Sequence, residues 1–284
     1  MRTVVATGFF DGVHLGHRLV LETLREEALS KGLEPVVVTF WPHPRTLFQR
    51  DAASLRLLTS QQEKLRLLEP YGRTEVLPFT REFASKTARE YISEVLAGRL
   101  GAEALVVGYD TRLGSDRLGP GEIATLCAQM GLGCSVCAEL YSEEDSKAVS
   151  STRIRSALER GDVEQAARML GRSYSLEGPV VSGNQLGRTI GFPTANLKVR
   201  EPLKAIPAPG VYASEVRLDG ELYRGMTNID RAGKVETNIF EFDEMIYGRD
   251  LEITFERRLR DEIKFSGLDA LKEQLQRDRA ELQG

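Results

Sequence analysis

The stretch "GFFDGVHLGH", Gly8 to His17, decides how this chain folds. The run leading into it, "TVVATGFF", is short and apolar, as a buried strand is. The run leaving it, "HRLVLETLREEALSKG", carries Leu and Val at helical spacing and stops at a glycine. The quoted stretch is therefore a strand-to-helix turn. It is rich in glycine, and two of the chain's three histidines, His14 and His17, stand one helical turn apart at the helix N-terminus.

Outward from this turn the pattern alternates. "EPVVVTFWP" reads as a strand, and "SQQEKLRLLEPYG" as a helix with a Ser N-cap and a Gly stop. "RTEVLPF" is a strand, "TAREYISEVLAGRLG" a helix, "AEALVVGYD" a strand, "GPGEIATLCAQMGLG" a helix and "CSVCAEL" the last strand. Strands alternating with crossover helices predict a parallel sheet, so a doubly wound, Rossmann-like α/β domain. Continuous apolar strands such as "PVVVTF" agree, because parallel strands are covered on both faces. "SSTRIRSALERGDVEQAARMLGR" then reads as two short helices broken at "RGD".

Beyond Gly171 the period changes to short strands separated by Gly, Asp or Asn turns, with "VRLDGELYRG" a plain hairpin on Asp-Gly. The chain closes on an amphipathic helix, "LDALKEQLQRDRAELQ". The expectation is two domains, 1–170 and 171–284, the second an antiparallel β-barrel with a C-terminal helix.

The totals suit this. A chain of 284 residues with 41% hydrophobic and 28% charged residues is long enough for two cores. A formal charge of −4 argues against nucleic acid or a membrane surface as a partner. Neither a membrane-length apolar run nor a cleavable leader is visible, so a cytoplasmic protein is expected. Cys127, Cys134 and Cys137 form no disulfide framework, and "GLGCSVCAEL" reads as a strand after a Gly turn, with core cysteines.

Ligands of open parallel sheets bind beyond the C-terminal strand ends, at the switch point of strand order. In the opening turn, Gly8 and Gly12 let backbone approach a ligand, and the helix start offers N–H groups to a phosphate. Phe10 and Asp11 belong to the same corner. A lone histidine there would read as a cap or a packed ring; the whole string reads as a phosphate-binding corner with two imidazole donors.

A second string, "LGRTIGFPTANL", Leu186 to Leu197, forms an unusual loop between barrel strands. Gly187 and Gly191 would let backbone wrap phosphates beside the cis-capable Pro193. Thr194 and Asn196 offer hard oxygen ligands suited to Mg²⁺. A polar hairpin loop would use the same residue types.

"HLGH" resembles the HxGH motif of the adenylyltransferase superfamily. With "VVTFWPHP", "VVGYDTRLGSDRLG" and "VSSTRIRSAL", the first half resembles the N-terminal module of prokaryotic bifunctional riboflavin kinase/FAD synthetases. All three histidines fall within these strings. The resemblance implies adenylyl transfer from ATP to FMN, giving FAD and pyrophosphate. His14 and His17 would stabilise the triphosphate and His43 would hold the FMN phosphate. Asp110 would contact adenosine, Ser151 and Thr152 would offer hydroxyls and helix N–H groups, and Arg155 a planar cation. Thr111 and Leu113 stand where the family usually carries Phe, and Trp41 where Asp or Glu is common; none is a phosphate-handling group.

"GFPTAN" resembles the riboflavin kinase motif, and "GVYA", "VETNIFEF", "IYG" and "LRDEIKF" follow in the family order. This implies phosphorylation of riboflavin by ATP–Mg²⁺, with Asn228 among the binding residues. A neutral ribityl hydroxyl must attack the γ-phosphate there, which calls for a base. Glu236 matches the family's catalytic Glu. One departure precedes it: the family's "PTF"-containing loop is shortened to "TNIDRAGKVETNI", and Asn238 stands where "ETH" is common. That shortening leaves two further readings, an FAD synthetase with a weakened kinase domain and a non-catalytic flavin sensor.

Overall fold

Five strands set up the first half: β1 (Thr3–Thr7), β2 (Glu34–Trp41), β3 (Arg73–Pro78), β4 (Ala102–Val107) and β5 (Gly133–Val136). They pair in parallel in the order β3-β2-β1-β4-β5. The chain moves outward one way from β1 and then returns to its other side, so the order reverses between β1 and β4. The expected doubly wound sheet is thus observed, with its crevice at that point.

Alternation along β1 sends Val4 and Ala6 to one face and Val5 to the other, and both faces are buried. Helix α1 (Leu15–Lys31) packs Val20, Leu21, Leu24 and Ala28 on the first face, joined by Leu68 of α2 (Gln61–Leu68). The other face is covered by Ile92 and Leu96 and by Ile123 and Leu126. Between β3 and β4 run α3 (Arg81–Ser85) and α4 (Ala88–Glu90), which continues as a π-helical segment, Tyr91–Arg99. Helix α5 (Pro120–Gln129) precedes β5.

Local chemistry accounts for the helix ends. Ser60 and Glu63 form the reciprocal capping box that starts α2. Gly32, at φ 63°, supplies the left-handed C-cap of α1. Cys127 and Cys137 are buried and Cys134 is half-buried against the core, all as free thiols.

The computed structural model of the protein describes residues 2–44, 55–183, 187 and 190–283. Leu186, Arg188 and Thr189 of the "LGRTIGFPTANL" string lie outside that set. By its contacts the chain divides into two compact units, Met1–Ser151 and Thr152–Gly284. The division falls at the first residue of α6 (Ser151–Glu159), which α7 (Val163–Leu170) follows. This pair has barrel partners: Ala208 N–H donates to the Leu158 carbonyl at 2.8 Å. Gly161, between the two helices, has φ 76°, and a Cβ there would meet the Tyr212 hydroxyl and Arg258 Nε at 2.8 Å. Only glycine suits that position.

The second half forms a closed antiparallel barrel, as the turn-rich pattern predicts. Its strands are β6 (Tyr174–Val181), β7 (Ala195–Leu197), β8 (Gly210–Leu218), β9 (Glu221–Ile229), β10 (Val235–Ile239) and β11 (Asp250–Arg260), ordered β10-β7-β6-β11-β8-β9. β8 and β9 join at Asp219 and Gly220, both at positive φ (49° and 89°), the tight turn expected of Asp-Gly. The last residues of the "GFPTAN" string are strand, not loop: β7 is inserted between β6 and β10. The C-terminal helix α8 (Leu268–Gln283) is pinned by Arg260 on Asp278, 2.6 Å apart and both largely buried.

Candidate functional site

The first site grows from the turn after β1. Phe10 and Val13 hold positive φ (53° and 39°) without being glycine, on either side of Gly12 at φ 85°. Such backbone costs about 1–3 kcal/mol per residue and persists only where the surroundings hold it. Asp11 is 4% exposed, and its Oδ1 accepts from the backbone N–H of Leu58 at 2.9 Å and of Thr59 at 3.1 Å. Hydrogen bonds to a carboxylate contribute roughly 1.5–3 kcal/mol each, enough to offset the strain. Gly12 N–H donates to Thr59 Oγ1, Ser151 Oγ to the Asp11 carbonyl, and Thr39 Oγ1 to the Phe9 carbonyl. The turn is braced before any substrate arrives.

His14 is the N-cap of α1: its Nδ1 accepts from the His17 backbone N–H at 3.3 Å, which leaves the proton of the neutral ring on Nε2. The two imidazoles stack with centroids 3.6 Å apart and planes 16° apart. Phe10 meets His17 edge-on at 5.4 Å. Burial first, then the adjacent His14 and the charge of Lys64, push the His17 pKa well below the usual imidazole range. His17 is therefore neutral at pH 7, and its Nδ1 is buried without a hydrogen-bond partner among the described residues. Gly16 permits the stack: a Cβ there would lie 3.3 Å from His14 Cε1.

His43 follows β2 and meets the Phe9 ring edge-on at 4.0 Å. Asp110 is exposed just beyond β4, the strand on the other side of the crevice. The structure thus gathers Gly8, Phe10, Asp11, Gly12, His14, His17 and His43 around one turn, with Asp110 across the switch point. Ser151 reaches that turn through its bond to Asp11. Thr152 and Arg155 lie further along α6, in the second unit.

Sequence reasoning missed Lys64. It is 2% exposed, with its Nζ 3.9 Å from the Phe9 ring centroid. The signal was present: Lys64 stands four residues before the buried Leu68, on the apolar face of α2, where the pattern calls for a hydrophobic residue.

In the barrel, register does the assembling. Glu236 pairs with Asn196 on one side and with Asn228 on the other, so three expected residues lie abreast on β7, β10 and β9. Directly paired side chains in an antiparallel sheet project to the same face. Asn196 is 6% exposed and its Oδ1 is buried without a hydrogen-bond partner among the described residues. Lys234 makes an ion pair with Glu236 Oε1. Asn238, two residues on, donates from Nδ2 to the Pro193 carbonyl at 2.7 Å. The departure at Asn238 thus ties the "GFPTAN" loop to β10.

That loop is tight. The Gly187 carbonyl accepts from both Ile190 and Phe192, and a Cβ on Gly187 would lie 2.1 Å from the Phe192 carbonyl oxygen. Gly191 has φ 83°. The cis peptide bond among the described residues is Trp41–Pro42, not one at Pro193. Pro193 and Thr194 line an open cleft of about 460 Å³ with Thr237, Phe242, Met245 and Tyr247. Thr237 alternates with Glu236 along β10, so the cleft, with Thr194 in its lining, opens on the face opposite Glu236.

The shortened β9–β10 connection closes on Asp230, whose Oδ1 accepts from Ala232 N–H at 2.9 Å and Lys234 N–H at 2.8 Å.

Comparison with known proteins matches both halves. Residues 1–153 fit the family model described as FAD synthetase, and residues 170–283 the one described as riboflavin kinase. A bifunctional riboflavin kinase/FMN adenylyltransferase of Bacillus subtilis is 37% identical, with 99% of this chain and 91% of that protein covered. Its Escherichia coli counterpart is 38% identical, covering 97% of this chain and 90% of that protein. A solved structure titled as a macrolide-efflux protein from Streptococcus pneumoniae superposes with a TM-score of 0.91 at 31% identity, covering 100% of this chain and 94% of that one. Among the described residues here, no helix is long and apolar enough to cross a membrane.

Proposed function

Because the chain belongs to the family of bifunctional riboflavin kinase/FMN adenylyltransferases, we propose that its two reactions, riboflavin to FMN and FMN to FAD, run at two separate sites built from the residues described above. The chain is an enzyme with both activities. Functionally, residues 1–170 are assigned to FMN adenylylation and 171–284 to riboflavin phosphorylation.

In adenylylation, an oxygen of the FMN phosphate attacks the α-phosphorus of ATP. The new P–O bond forms as the bond to the β-phosphate breaks, and pyrophosphate leaves. The nucleophile is already anionic, so the site has to position and neutralise charge instead of removing a proton. Neutral His17 and His14 donate hydrogen bonds to the triphosphate. His43 holds the FMN phosphate, Asp110 the adenosine, and Ser151, bonded to the Asp11 carbonyl, lies beside the phosphate corner. The backbone N–H groups of the Gly8–Gly12 turn complete the corner.

In phosphorylation, a ribityl hydroxyl of riboflavin attacks the γ-phosphorus of ATP. Glu236 takes the hydroxyl proton as the O–P bond forms, and ADP leaves. Asn228 orients the alcohol, while Gly187, Gly191 and Pro193 shape the loop around the phosphates. The Oδ1 of Asn196, buried and unpartnered among the described residues, suits a hard cation, and Thr194, two residues before it, would offer a second oxygen. Mg²⁺ held there would neutralise charge between the β- and γ-phosphates. A cytoplasmic setting, with ATP and flavins as the small-molecule partners, follows from the same reading.

The observation that carries the assignment is that one chain holds both a stacked imidazole pair on a strained helix-start turn and a carboxylate–amide row in the barrel. A weakened kinase domain and a flavin sensor are not favoured, because the riboflavin kinase family model matches residues 170–283 and bifunctional relatives match nearly the whole chain. The test is to incubate purified protein with riboflavin, ATP and Mg²⁺ and separate the products by chromatography. FMN and FAD should both appear; FAD arising only from added FMN would overturn the kinase half.

A further inference from the structure

Lys64 is a buried ammonium that neither reaction above uses. Its helix, α2, is fixed by the Ser60–Glu63 capping box, and the loop before it is held by Asp11, so the side chain is delivered to one place. There Nζ donates to the Phe40 carbonyl at 3.3 Å, lies 3.9 Å from the centroid of the Phe9 ring and 5.9 Å from that of Trp41. These neighbours accept hydrogen bonds or offer π-faces, and among the described residues they leave the charge poorly compensated. The charge of Asp11 reaches it, but Asp11 is already engaged by backbone N–H groups. On the side of α1, the charge of Lys64 falls on His17, and His43 touches the same Phe9 ring that Lys64 covers.

A lysine is rarely buried without purpose, because desolvating an ammonium costs several kcal/mol when no anion compensates it. The compensation expected here comes from a substrate. We infer that Lys64 is a further phosphate-binding cation of the adenylylation site, placed beside His17 and His43 where the FMN phosphate monoester and the ATP triphosphate are brought together. The inference rests on the assignment of adenylyl transfer to this corner. Two anionic reactants must approach each other there, and with His17 neutral, the ammonium supplies positive charge that the imidazole does not. Burial pushes the Lys64 pKa down to about 8, partly countered by Asp11, so the ammonium is the main form at pH 7 and is lost just above pH 8.

The test uses the full-length enzyme with FMN, ATP and Mg²⁺, comparing wild type, Lys64→Met and Lys64→Arg from pH 6.5 to 9.5, with thermal unfolding of each. Wild-type kcat/KM for FAD formation should fall above about pH 8. Lys64→Met should lose roughly ten- to a hundredfold in kcat/KM, as expected for a charge-assisted hydrogen bond to phosphate. It should also lose the alkaline limb, yet unfold at a higher temperature near neutral pH, because a desolvated charge has been removed. Lys64→Arg should keep more activity than Lys64→Met and carry the limb beyond the range. A raised KM for FMN assigns the cation to the monoester; a raised KM for ATP assigns it to the triphosphate. Lys64→Met with wild-type KM for both substrates and an unchanged limb would overturn the inference. So would loss of activity accompanied by loss of stability, the mark of a structural lysine. Absence of FAD formation by the wild type would instead remove the parent assignment.

Discussion

The two proposed sites are built by opposite means. In the α/β unit the groups sit on one strained turn and are locked by bonds between side chain and backbone: Asp11 to Leu58 and Thr59, His14 to His17. In the barrel the groups lie in register across three strands, Asn196 buried and Glu236 partly exposed, with an open cleft on the opposite face. The contrast follows the chemistry. Attack by an anionic phosphate needs a fixed, charge-compensating cradle and no base. Attack by a neutral alcohol needs a base and exclusion of water, and a site that must close over its substrate is drawn from less rigid elements.

The largest expected effect breaks the comparison if it fails. Glu236→Gln keeps size and hydrogen bonding but removes the proton acceptor, so FMN formation should fall about 10²–10⁴-fold, the range for general-base catalysis. FAD formation from supplied FMN should be unchanged. Both rates measured on one preparation decide the matter, and equal losses would mean the sites are not independent.

The mirror experiment is His17→Gln. Losing one preorganised donor in a charge-stabilising site costs about 10²–10³-fold. FAD formation should drop by that order while FMN formation holds. A fall in FMN formation would show that the turn supports the barrel's chemistry as well.

A third expectation uses the buried imidazole against the half-exposed carboxylate. His17 has a folded-state pKa well below its unfolded value. Below about pH 6.5 the unfolded chain therefore binds a proton that the folded chain refuses, and stability falls as pH falls through that range. The slope is at most about 1.4 kcal/mol per pH unit for one group. Urea unfolding of the α/β unit's signal at pH 7.5 and 5.5 should show this loss in wild type, and His17→Phe should reduce it. An unchanged slope in the variant would place the acid sensitivity elsewhere.

How much of this was legible in the sequence follows from range. The parallel sheet, the helix caps and the Asp-Gly hairpin are local patterns, and they read correctly. The imidazole pair was visible too, because one helical turn separates His14 from His17. Three things were not. Residues Ala195–Leu197 read as loop because Gly, Pro and Thr precede them; only pairing with β6 and β10 makes them strand. The bond from Asn238 to Pro193 spans 45 residues, and it turns an apparent departure into a brace. The role of Lys64 is the third, since an amphipathic pattern is read by its apolar members and a lysine on that face counts as noise until burial is seen.

The smallest expected effect sharpens the comparison instead of breaking it. The shortened β9–β10 hairpin places Lys234 against Glu236, with side chains 38% and 30% exposed. An ion pair so open to solvent contributes about 0–1 kcal/mol. Lys234→Met should therefore leave stability almost unchanged and alter FMN formation by less than about fivefold. The direction is informative. If Lys234 merely occupies the carboxylate, its removal frees the base and the rate rises. If it substitutes for contacts of the missing loop by holding Glu236 in line with Asn196 and Asn228, the rate falls, and Lys234→Arg restores it where Lys234→Met does not. A rate fall rescued by Arg would mean the barrel has acquired, through one tight turn, a little of the preorganisation that the strained turn gives the α/β unit.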